Sequence, residues 1–259
     1  ASGPTNSMRG AAFLSGVDDA IVVDIGGTTS DVGSLQKGFP RQATVAVEVG
    51  GVRTNFRMPD VFSIGLGGGS LVIDGVDIKI GPTSVGYRIN TEALIFGGST
   101  LTTTDIAVAA GHAELGDKTK VSHLPQELLD RSQAKILSML EDCVERSRMS
   151  PEPLPVIVVG GGSILVNGPI GGLEVIKPAH FGVANAVGAA IAQVSGEVDR
   201  IYSLTELGRD QAISDAKQRA VDAAVAAGAR RDSVEIVDVE DVPLAYLPGN
   251  ATRVRVKAV

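Results

Sequence analysis

The sequence predicts an α/β fold in which helices flank a mixed β-sheet, followed by a small C-terminal α/β segment. Short apolar strands run into glycine-rich loops at three places, and residues 124–149 have the periodicity of a long amphipathic helix. The composition combines 44% hydrophobic residues and 32 glycines with 3% aromatics. Packing must therefore rely on Val, Ile, Leu and Ala with many close backbone approaches, which suits a glycine-looped α/β protein better than a sandwich.

Residues 20–35 (AIVVDIGGTTSDVGSL) predict a strand, a turn and a second strand. The apolar run before Asp24 is typical of a buried strand, so this carboxylate stands at a strand end. Gly26 and Gly27 have no Cβ, and their amides can therefore approach an anion closely. Further donors follow in the hydroxyls of Thr28, Thr29 and Ser30.

Asp31 supplies a second carboxylate beyond the same turn. Two acids flanking a phosphate cradle favour a hydrated Mg²⁺ held between protein and phosphate oxygens. The competing interpretation is a tight hairpin whose glycines serve the turn and whose acids are solvated ends. Residues 20–35 alone leave the two interpretations balanced, because a short motif without its context has a high false-positive rate.

A second apolar run meets glycines in residues 60–70 (DVFSIGLGGGS). The glycines of this cluster are Gly65, Gly67, Gly68 and Gly69. A dinucleotide-binding fingerprint would need a helix next, but the following LVIDGVDIKIG predicts two strands joined by an Asp74-Gly75 turn. A P-loop is also excluded, because neither of these first two clusters ends in Lys followed by Ser or Thr.

A third apolar strand, residues 156–159, runs into Gly160, Gly161, Gly162 and Ser163. A glycine triplet followed by a hydroxyl is hard to justify as a turn alone, so a binding role is favoured. Three such loops without a Lys-bearing P-loop argue for a nucleotide held by backbone amides.

The remaining elements follow from periodicity and capping signals. Helices are predicted at residues 5–15, 102–110, 124–149, 184–194 and 204–227, the last ended by Gly228. Strands are predicted at residues 44–48, 174–178, 233–239 and 252–258. Near the start of the second helix, Asp105 is either an N-terminal cap or a site residue, and the cap is favoured on sequence alone.

Charge and composition limit the functional classes. The net charge is −7 and no block of Lys or Arg stands out, which argues against a nucleic-acid partner. The single cysteine, Cys143, cannot form an internal disulfide and fits a reducing compartment. No signal peptide or spanning segment is recognisable, so we expect a cytoplasmic protein without a membrane partner. The first residues read like mid-domain sequence, which indicates an excised fragment.

The order of the motifs resembles a known ATPase superfamily. Residues 23–31 (VDIGGTTSD) are similar to the second phosphate motif of the actin, heat-shock chaperone and sugar-kinase ATPases, and residues 158–163 (VVGGGS) to their adenosine motif. Within that superfamily the sequence looks like the hydantoinase A and 5-oxoprolinase family. Further segments in this family's order are SGP at 2–4, GAA at 10–12, SIGLGGGSLV at 63–72, GP at 81–82, GG at 97–98, LTTTD at 101–105, PAHFG at 178–182 and ANA at 184–186.

This resemblance implies a ribonuclease H-like ATPase lobe over residues 1–200 and a separate C-terminal α/β segment over residues 201–259. It implies ATP-dependent ring opening of a cyclic amide such as a hydantoin or 5-oxoproline, in which ATP phosphorylates the ring carbonyl oxygen and water then attacks. The expected cofactors are ATP and Mg²⁺. The expected partners are the cyclic amide, an N-terminal lobe that carries a first phosphate motif, and a second, hydantoinase B-like subunit.

The resemblance also assigns roles to individual residues. Catalytic and Mg²⁺-orienting roles fall to Asp24 and Asp31. Phosphate contacts fall to Gly26, Gly27, Thr28 and Thr29. The cleft would be lined by Gly67, Gly68 and Gly69, and the chain would pass beneath the adenosine at Gly160, Gly161, Gly162 and Ser163. Asp105 and His180 fall in family-like segments but are most simply a helix cap and a hydrogen-bonded loop residue.

Two departures from the family pattern affect these expectations. No second strand-Gly-Gly-Thr turn precedes Ala20, and residues 84–96 (SVGYRINTEALIF) lack the Pro-Gly-Pro and Cys-rich form associated with oxoprolinases, which favours the hydantoinase side. An alternative function is a non-enzymatic, nucleotide-switched module of the chaperone or reactivase kind. A third possibility is a lobe that cannot hold ATP alone.

Overall fold

The structure is a computed structural model that describes residues 2–43, 48–49, 52–53, 59–148, 152–245, 247 and 250–259. The chain divides into two compact units, Ala1–Ile191 and Ala192–Val259. The boundary expected after residue 200 falls inside a strand of the second unit, Gly196–Ser203. Most of the strand expected at residues 44–48 lies outside the described residues.

The first unit contains five α-helices among its described residues, which also form several single turns of 3₁₀-helix. The helices are α1 (Ser2–Ser15), α2 (Ile89–Glu92), α3 (Thr103–Ala109), α4 (Gln126–Ser147) and α5 (Ala184–Ala190). The strands are β1 (Ala20–Ile25), β2 (Ser30–Gln36), β3 (Phe39–Pro40), β4 (Glu48–Val49), β5 (Val52–Arg53), β6 (Val61–Ile64), β7 (Ser70–Ile73), β8 (Lys79–Ser84), β9 (Val156–Val159) and β10 (Val175–Ile176).

The main sheet has the strand order β10-β9-β1-β2-β3, and β6 also pairs with β2. Strand β1 runs antiparallel to β2 and parallel to β9, which itself runs parallel to β10. The sheet is therefore mixed, and helices cover it. The predicted α/β fold class with a mixed sheet flanked by helices is confirmed.

Strand β1 lies at the centre of this sheet because both of its faces are apolar. Ile21, Val23 and Ile25 point into one core with helix α4, whereas Ala20 and Val22 point into a second core with helix α1. The alternation follows from the two-residue period of a strand. Burial of each large aliphatic side chain contributes about 1.5–3 kcal/mol, so the strand that carries Asp24 is firmly fixed.

The second unit is a three-stranded antiparallel sheet covered by one long helix. Its elements are β11 (Gly196–Ser203), α6 (Arg209–Ala226), β12 (Ile236–Pro243) and β13 (Ala251–Ala258), and β13 lies between the other two strands. The helix turns a row of small buried residues toward the sheet, namely Ala212, Ala216, Ala220 and Ala224. These short side chains let the helix lie close to the strands.

The opposite face of this second sheet carries ion pairs between neighbouring strands. Arg253 pairs with Asp199 at 2.6 Å, and Arg255 pairs with Glu197 at 2.8 Å and with Glu240 at 3.3 Å. An antiparallel sheet with one apolar and one ion-paired face is typical of a sheet that is packed on one side.

Candidate functional site

The hairpin turn, residues 26–29, joins β1 to β2 at the edge of the sheet. The last strand pairs are Asp24 opposite Asp31 and Ile25 opposite Ser30. The amide of Gly26 donates to the carbonyl of Thr29 at 2.9 Å and closes the turn. Strand, turn and strand are thus found where the sequence predicts them.

The outer part of the hairpin turn offers free donors to a ligand. Gly27, Thr28 and Thr29 are exposed. Within the part of the chain that the structure describes, no acceptor is found for the amides of Gly27 and Thr28 or for the two threonine hydroxyls. Unpaired amides and hydroxyls gathered on one turn are suited to bind phosphate oxygens.

Asp24 and Asp31 lie directly across from each other, so their side chains project from the same face of the sheet. Ser63 on β6 is opposite Asp31 in turn, and its hydroxyl donates to the Asp31 carboxylate. Burial raises the pKa of Asp24, a hydrogen bond from Ser7 lowers it, and the nearby charge of Asp31 raises it. The net effect is a raised pKa, because removal from water dominates.

The buried glycine loop, residues 65–69, lies against the inner side of the hairpin turn. The amides of Gly68 and Gly69 donate to the carbonyls of Gly26 at 3.0 Å and Gly27 at 2.7 Å. The amide of Gly67 donates to the Ser70 hydroxyl at 2.9 Å. All three amides are therefore used within the protein, and Gly67, Gly68 and Gly69 are buried. They support the hairpin turn rather than present amides to a cleft.

Close approach explains the glycine at the centre of this loop. A Cβ on Gly67 would lie 2.6 Å from the carbonyl carbon of Gly27 and 2.8 Å from the carbonyl oxygen of Gly26, and closer still to the amide nitrogen of Thr28. Because these are all backbone atoms, they cannot give way without moving the hairpin turn. The chain can pass here only without a side chain.

The N-terminus of helix α3 holds the buried glycine loop from the other side. The Thr103 hydroxyl donates to the carbonyls of Gly67 at 2.5 Å and Gly68 at 2.9 Å, and the Thr104 hydroxyl donates to Gly68 at 2.7 Å. Thr102 and Asp105 form a capping box at the same helix end. The expectation that Asp105 is a helix cap is confirmed, and its carboxylate also accepts from the amide of Ile95 at 2.8 Å.

The strand-end loop, residues 160–163, follows β9 and packs against the end of β1. An added Cβ on Gly160 would overlap the Asp24 carboxylate and the Ile25 carbonyl, and an added Cβ on Gly162 would lie 2.8 Å from the carbonyl oxygen of Gly26. The Ser163 hydroxyl donates to the carbonyl of Gly160 at 2.6 Å. The loop therefore closes on itself and against the hairpin strand.

Gly161 is the exposed member of the strand-end loop. No described atom lies within 4 Å of where its Cβ would stand. Its neighbours Gly162 and Ser163 are buried. Of the four residues expected beneath an adenosine, Gly161 is the one that presents an open backbone surface.

His180 lies near the strand-end loop because the next residue, Phe181, is hydrogen-bonded to that loop. The amide of Gly160 donates to the carbonyl of Phe181 at 2.9 Å. His180 itself is exposed and adopts a left-handed backbone conformation with φ of 63°. Such a conformation is costly for a residue with a side chain and clusters at functional sites.

The structure thus brings the three glycine segments together around the end of β1. The hairpin turn is supported by the buried glycine loop on one side and contacted by the strand-end loop on another. Surface for direct ligand contact is offered by Gly27, Thr28, Thr29 and Gly161. Support is supplied by the other predicted residues, namely Gly26, Gly67, Gly68, Gly69, Gly160, Gly162 and Ser163.

The donor set at Asp24 and Asp31 fits a hydrated Mg²⁺. In the described residues no group of three or more His, Cys, Asp and Glu side chains could hold a metal ion. Two carboxylates on one face are what Mg²⁺ uses when phosphate oxygens and water complete its octahedral shell. The residues present would accordingly hold the ion together with a bound nucleotide.

Several site residues were not found by the sequence reasoning. They are Ser7, Ser63, Thr103 and Thr104. Two of them, Thr103 and Thr104, fall inside a segment that resembles the family, so their position in the motif was a usable signal. Ser7 and Ser63 are single hydroxyls whose partners lie on other elements, and no local pattern marks them.

A separate depression of about 250 Å³ lies between helix α4 and the segment after the strand-end loop. It is lined by His112, Asp130, Gln133, Leu137, Leu165 and Asn167 among others, and by none of the residues predicted for the site. Burial, and then the charge of Lys177, lowers the pKa of His112.

No helix of the described chain is both long and apolar enough to span a bilayer.

Comparison with known proteins relates this geometry to one family. Residues 1–120 match the family described as Hydantoinase/oxoprolinase. The chain is 30% identical over 155 residues to caprolactamase subunit alpha of Pseudomonas jessenii, covering 56% of this chain and 22% of that protein. It is 29% identical over 116 residues to the acetophenone carboxylase gamma subunit of Aromatoleum aromaticum, covering 42% and 16%. The resemblance to the hydantoinase A and 5-oxoprolinase family is confirmed.

Two solved structures share the fold. Nucleotide-free acetone carboxylase, described as performing ATP-dependent acetone carboxylation, aligns with a TM-score of 0.63 at 18% identity over 99% of this chain and 48% of that one. The ATP-dependent caprolactamase from Pseudomonas jessenii aligns with a TM-score of 0.63 at 16% identity over 98% and 48%. The chain thus spans about half the length of these solved chains and about a fifth of the curated relatives.

Proposed function

We propose that this chain is part of the ATP-binding subunit of an enzyme that opens a cyclic amide, of the hydantoin or 5-oxoproline kind, at the expense of ATP. The observation that carries the proposal is the hairpin turn. It presents the free amides of Gly27 and Thr28 beside a facing pair of carboxylates, within the segment that matches the Hydantoinase/oxoprolinase family.

Each part of the site takes a role that its contacts allow. Gly27, Thr28 and Thr29 bind phosphate oxygens through free amides and hydroxyls. Asp24 and Asp31 orient Mg²⁺ or its water ligands. Gly161 faces the nucleoside, and the remaining glycines hold the backbone in place. This division supports phosphoryl transfer, where catalysis consists mostly of positioning and charge stabilisation.

The relatives support both the use of ATP and the class of substrate. Caprolactamase is named for a lactam, which is a cyclic amide, and its solved structure is described as ATP-dependent. In the proposed reaction the ring carbonyl oxygen takes the γ-phosphoryl group, and water attacks the carbonyl carbon. The ring C–N bond then breaks, the nitrogen leaves as a protonated amine, and an acyl phosphate remains. A second water hydrolyses the acyl phosphate to a carboxylate and phosphate, so one ATP and two waters are consumed for each ring opened.

The subunit names of the relatives support a partner for this chain. The two curated relatives are a gamma subunit and a subunit alpha, and the chain spans a minor part of each. We expect a further lobe with a first phosphate turn and a second, hydantoinase B-like subunit to complete the enzyme. The ring substrate would then lie where the hairpin turn meets these parts.

A second candidate reaction is the ATP-dependent carboxylation of a ketone. The similarity to the acetophenone carboxylase gamma subunit favours it. Carboxylation would use the same nucleotide site, because a ketone oxygen, like an amide oxygen, can accept a phosphoryl group. The two candidates differ in the acceptor and not in the residues that hold ATP.

The test measures ATP hydrolysis by the full-length protein with its partner subunit. A panel of hydantoins, 5-oxoproline, lactams, and ketones with bicarbonate is added, and ADP and organic product are quantified together. We expect a ring amide to stimulate ADP formation with one ring opened per ADP. An exclusive response to a ketone with bicarbonate would establish the second candidate. Turnover indifferent to the whole panel, with nucleotide-dependent capture of a protein client, would establish the nucleotide-switched alternative.

A further inference from the structure

A row of three polar side chains crosses strands β1, β2 and β6 beside the hairpin turn. Asp24 lies opposite Asp31, and Asp31 lies opposite Ser63. Because residues directly opposite each other in antiparallel strands project from the same face, Ser63 stands at the outer end of the row that contains both carboxylates. Its hydroxyl donates to Oδ1 of Asp31 at 2.5 Å. The roles proposed for the loop residues do not use Ser63.

The bond from Ser63 uses one of the two carboxylate oxygens of Asp31 and leaves the other. An ionised carboxylate can only accept, so the single proton of the hydroxyl comes from Ser63. Within the part of the chain that the structure describes, the Asp31 side chain accepts no other hydrogen bond and forms no ion pair. The oxygen Oδ2 therefore keeps its lone pairs for a ligand.

Strand β6 is packed on both sides, which fixes the position of Ser63. Val61 packs against the core under helix α1, and Ile64 packs against the core under helix α4. The guanidinium carbon of Arg146 on α4 lies 4.7 Å from the centre of the Phe62 ring, a cation–π distance. The Ser63 hydroxyl is thus carried on a strand that neighbouring residues hold in place, although Ser63 itself is exposed.

We propose that Ser63 is a positioning residue that holds one oxygen of the Asp31 carboxylate and so leaves the other free to bind Mg²⁺ or its waters. The inference rests on the proposed function, because it assumes that Asp31 serves a metal-bound nucleotide. Ser63 acts through Asp31 and not on the nucleotide, as outer hydrogen-bond partners of metal ligands do.

The place of β2 between β1 and β6 explains why Asp31 needs such a partner. Asp24 and Ser63 flank Asp31 on opposite sides, so a like charge repels the carboxylate from one side while a hydroxyl attracts it from the other. Neither Asp24 nor Asp31 forms an ion pair with a Lys or Arg of the described chain. Without Ser63, only repulsion would orient the Asp31 side chain.

The test measures ATP affinity calorimetrically in the full-length protein, once with Mg²⁺ and once with a chelator. The ratio of the two dissociation constants reports the part of binding that depends on the metal. We expect Ser63→Ala to weaken MgATP binding about tenfold while leaving chelated ATP binding unchanged, because only the metal-dependent part passes through Asp31.

A matched pair of variants isolates the hydroxyl from the shape of the side chain. Ser63→Thr and Ser63→Val both place a β-branched residue in the strand and differ only in a hydroxyl against a methyl group. Ser63→Thr should keep most of the metal-dependent affinity, whereas Ser63→Val should lose about as much as Ser63→Ala.

Two further variants separate positioning from direct contact and from general damage. The double variant Asp31→Ala with Ser63→Ala should match Asp31→Ala alone, since Ser63 acts through Asp31. The control is Ser122→Ala, which removes an exposed hydroxyl that bonds to the Thr119 carbonyl at 2.8 Å, outside the three glycine segments. It should not change the ratio.

The outcomes distinguish this inference from the proposed function. If the unaltered protein shows no metal-dependent affinity for ATP, both are overturned. If it shows such affinity, Asp31→Ala removes it and Ser63→Ala retains the full ratio, the positioning role is wrong while the proposed function stands. Equal weakening of MgATP and of chelated ATP would also overturn the positioning role, as would a further loss when Ser63→Ala is added to Asp31→Ala.

Discussion

The hairpin turn and the buried glycine loop touch each other, yet they use their glycines in opposite ways. Gly27 is exposed and its amide has no acceptor in the described part of the chain. Gly68 and Gly69 are buried, and their amides hold the carbonyls of the hairpin turn. The hairpin turn leaves amide donors free for a ligand, whereas the buried glycine loop uses its amides to hold the hairpin turn in place.

Glycine content alone therefore does not identify a binding loop. Glycine allows close approach, and what approaches can be a ligand or another stretch of backbone. The strand-end loop contains both cases, because Gly160 and Gly162 pack against β1 while Gly161 faces open space. A Gly→Ala substitution, which adds one methyl group, can test the role of each kind of glycine.

The largest effect is expected from Gly160→Ala. The new Cβ would overlap the Asp24 carboxylate, and the backbone has φ of 87°, which side chains rarely adopt. We expect a loss of about 3 kcal/mol or more in the free energy of unfolding, measured by chemical denaturation. The matched control Gly161→Ala meets no described atom within 4 Å and should stay within about 0.5 kcal/mol. Equal stability of the two variants would contradict the packing role of Gly160.

A smaller but still large effect is expected from Gly67→Ala. Its Cβ would lie 2.6 Å from the carbonyl carbon of Gly27, so the buried glycine loop and the hairpin turn must separate. We expect destabilisation of about 2–3 kcal/mol. Gly27→Ala, which has open space, should leave unfolding within about 0.5 kcal/mol of the parent and reduce ATP affinity instead. Destabilisation by Gly27→Ala without destabilisation by Gly67→Ala would contradict the roles assigned to these two glycines.

Asp24→Asn should increase the free energy of unfolding at neutral pH. The gain should be smaller than the losses expected from Gly160→Ala and Gly67→Ala. Burial raises the pKa of Asp24 in the folded protein above its ordinary value of 3.8, so the fold disfavours the charged form. Stability of the parent therefore falls as pH rises from the ordinary pKa through the raised one. Asn has nearly the same shape as Asp and carries no charge.

The check on this prediction is the free energy of unfolding of both proteins as a function of pH. The two curves should approach each other at acidic pH and separate toward neutral pH, with the variant the more stable. Asp130→Asn, at an exposed position on α4, is the matched control and should give no such separation. A variant that is less stable than the parent at neutral pH would show that Asp24 is not strained by burial.

The smallest effect on stability is expected from Thr28→Val and Thr29→Val. Both hydroxyls are exposed and make no hydrogen bond within the described chain, so unfolding should shift by less than about 0.5 kcal/mol. Each variant should nevertheless weaken ATP binding by about threefold to tenfold, because a donor to a charged phosphate is lost. Calorimetric titration with MgATP measures this, and unchanged affinity in both variants would exclude the hydroxyls from the site.

Much of the fold around the site follows from local sequence patterns. The apolar run before Asp24 and the Gly-Gly-Thr-Thr turn predict the β1–β2 hairpin because strand burial and turn chemistry act over adjacent residues. Residues 70–84 form the expected second hairpin for the same reason. The capping role of Asp105 is likewise local, since its partner Thr102 is three residues away.

The parts that escaped prediction depend on contacts distant in sequence. The amides of Gly68 and Gly69 are taken by residues 26 and 27, which no local pattern reveals. Strand β11 was missed because its alternation is obscured: Arg200 shares a face with the buried Val254, while Ile201 is 57% exposed on the other. The partnership of Ser7 with Asn185 spans 178 residues and depends on two helices meeting.

The register of the β1–β2 hairpin fixes the pairing of the two strands but not the length of the turn between them. Val32 is buried in one core and Leu35 in the other, so sliding β2 by one residue would misplace both. A residue inserted into or deleted from positions 26–29 must therefore be absorbed within the turn itself. The strands would remain a constant frame while the loop between them changed in size. Under the proposed function, a change in the length of this turn would alter ligand preference without altering the sheet that carries the turn.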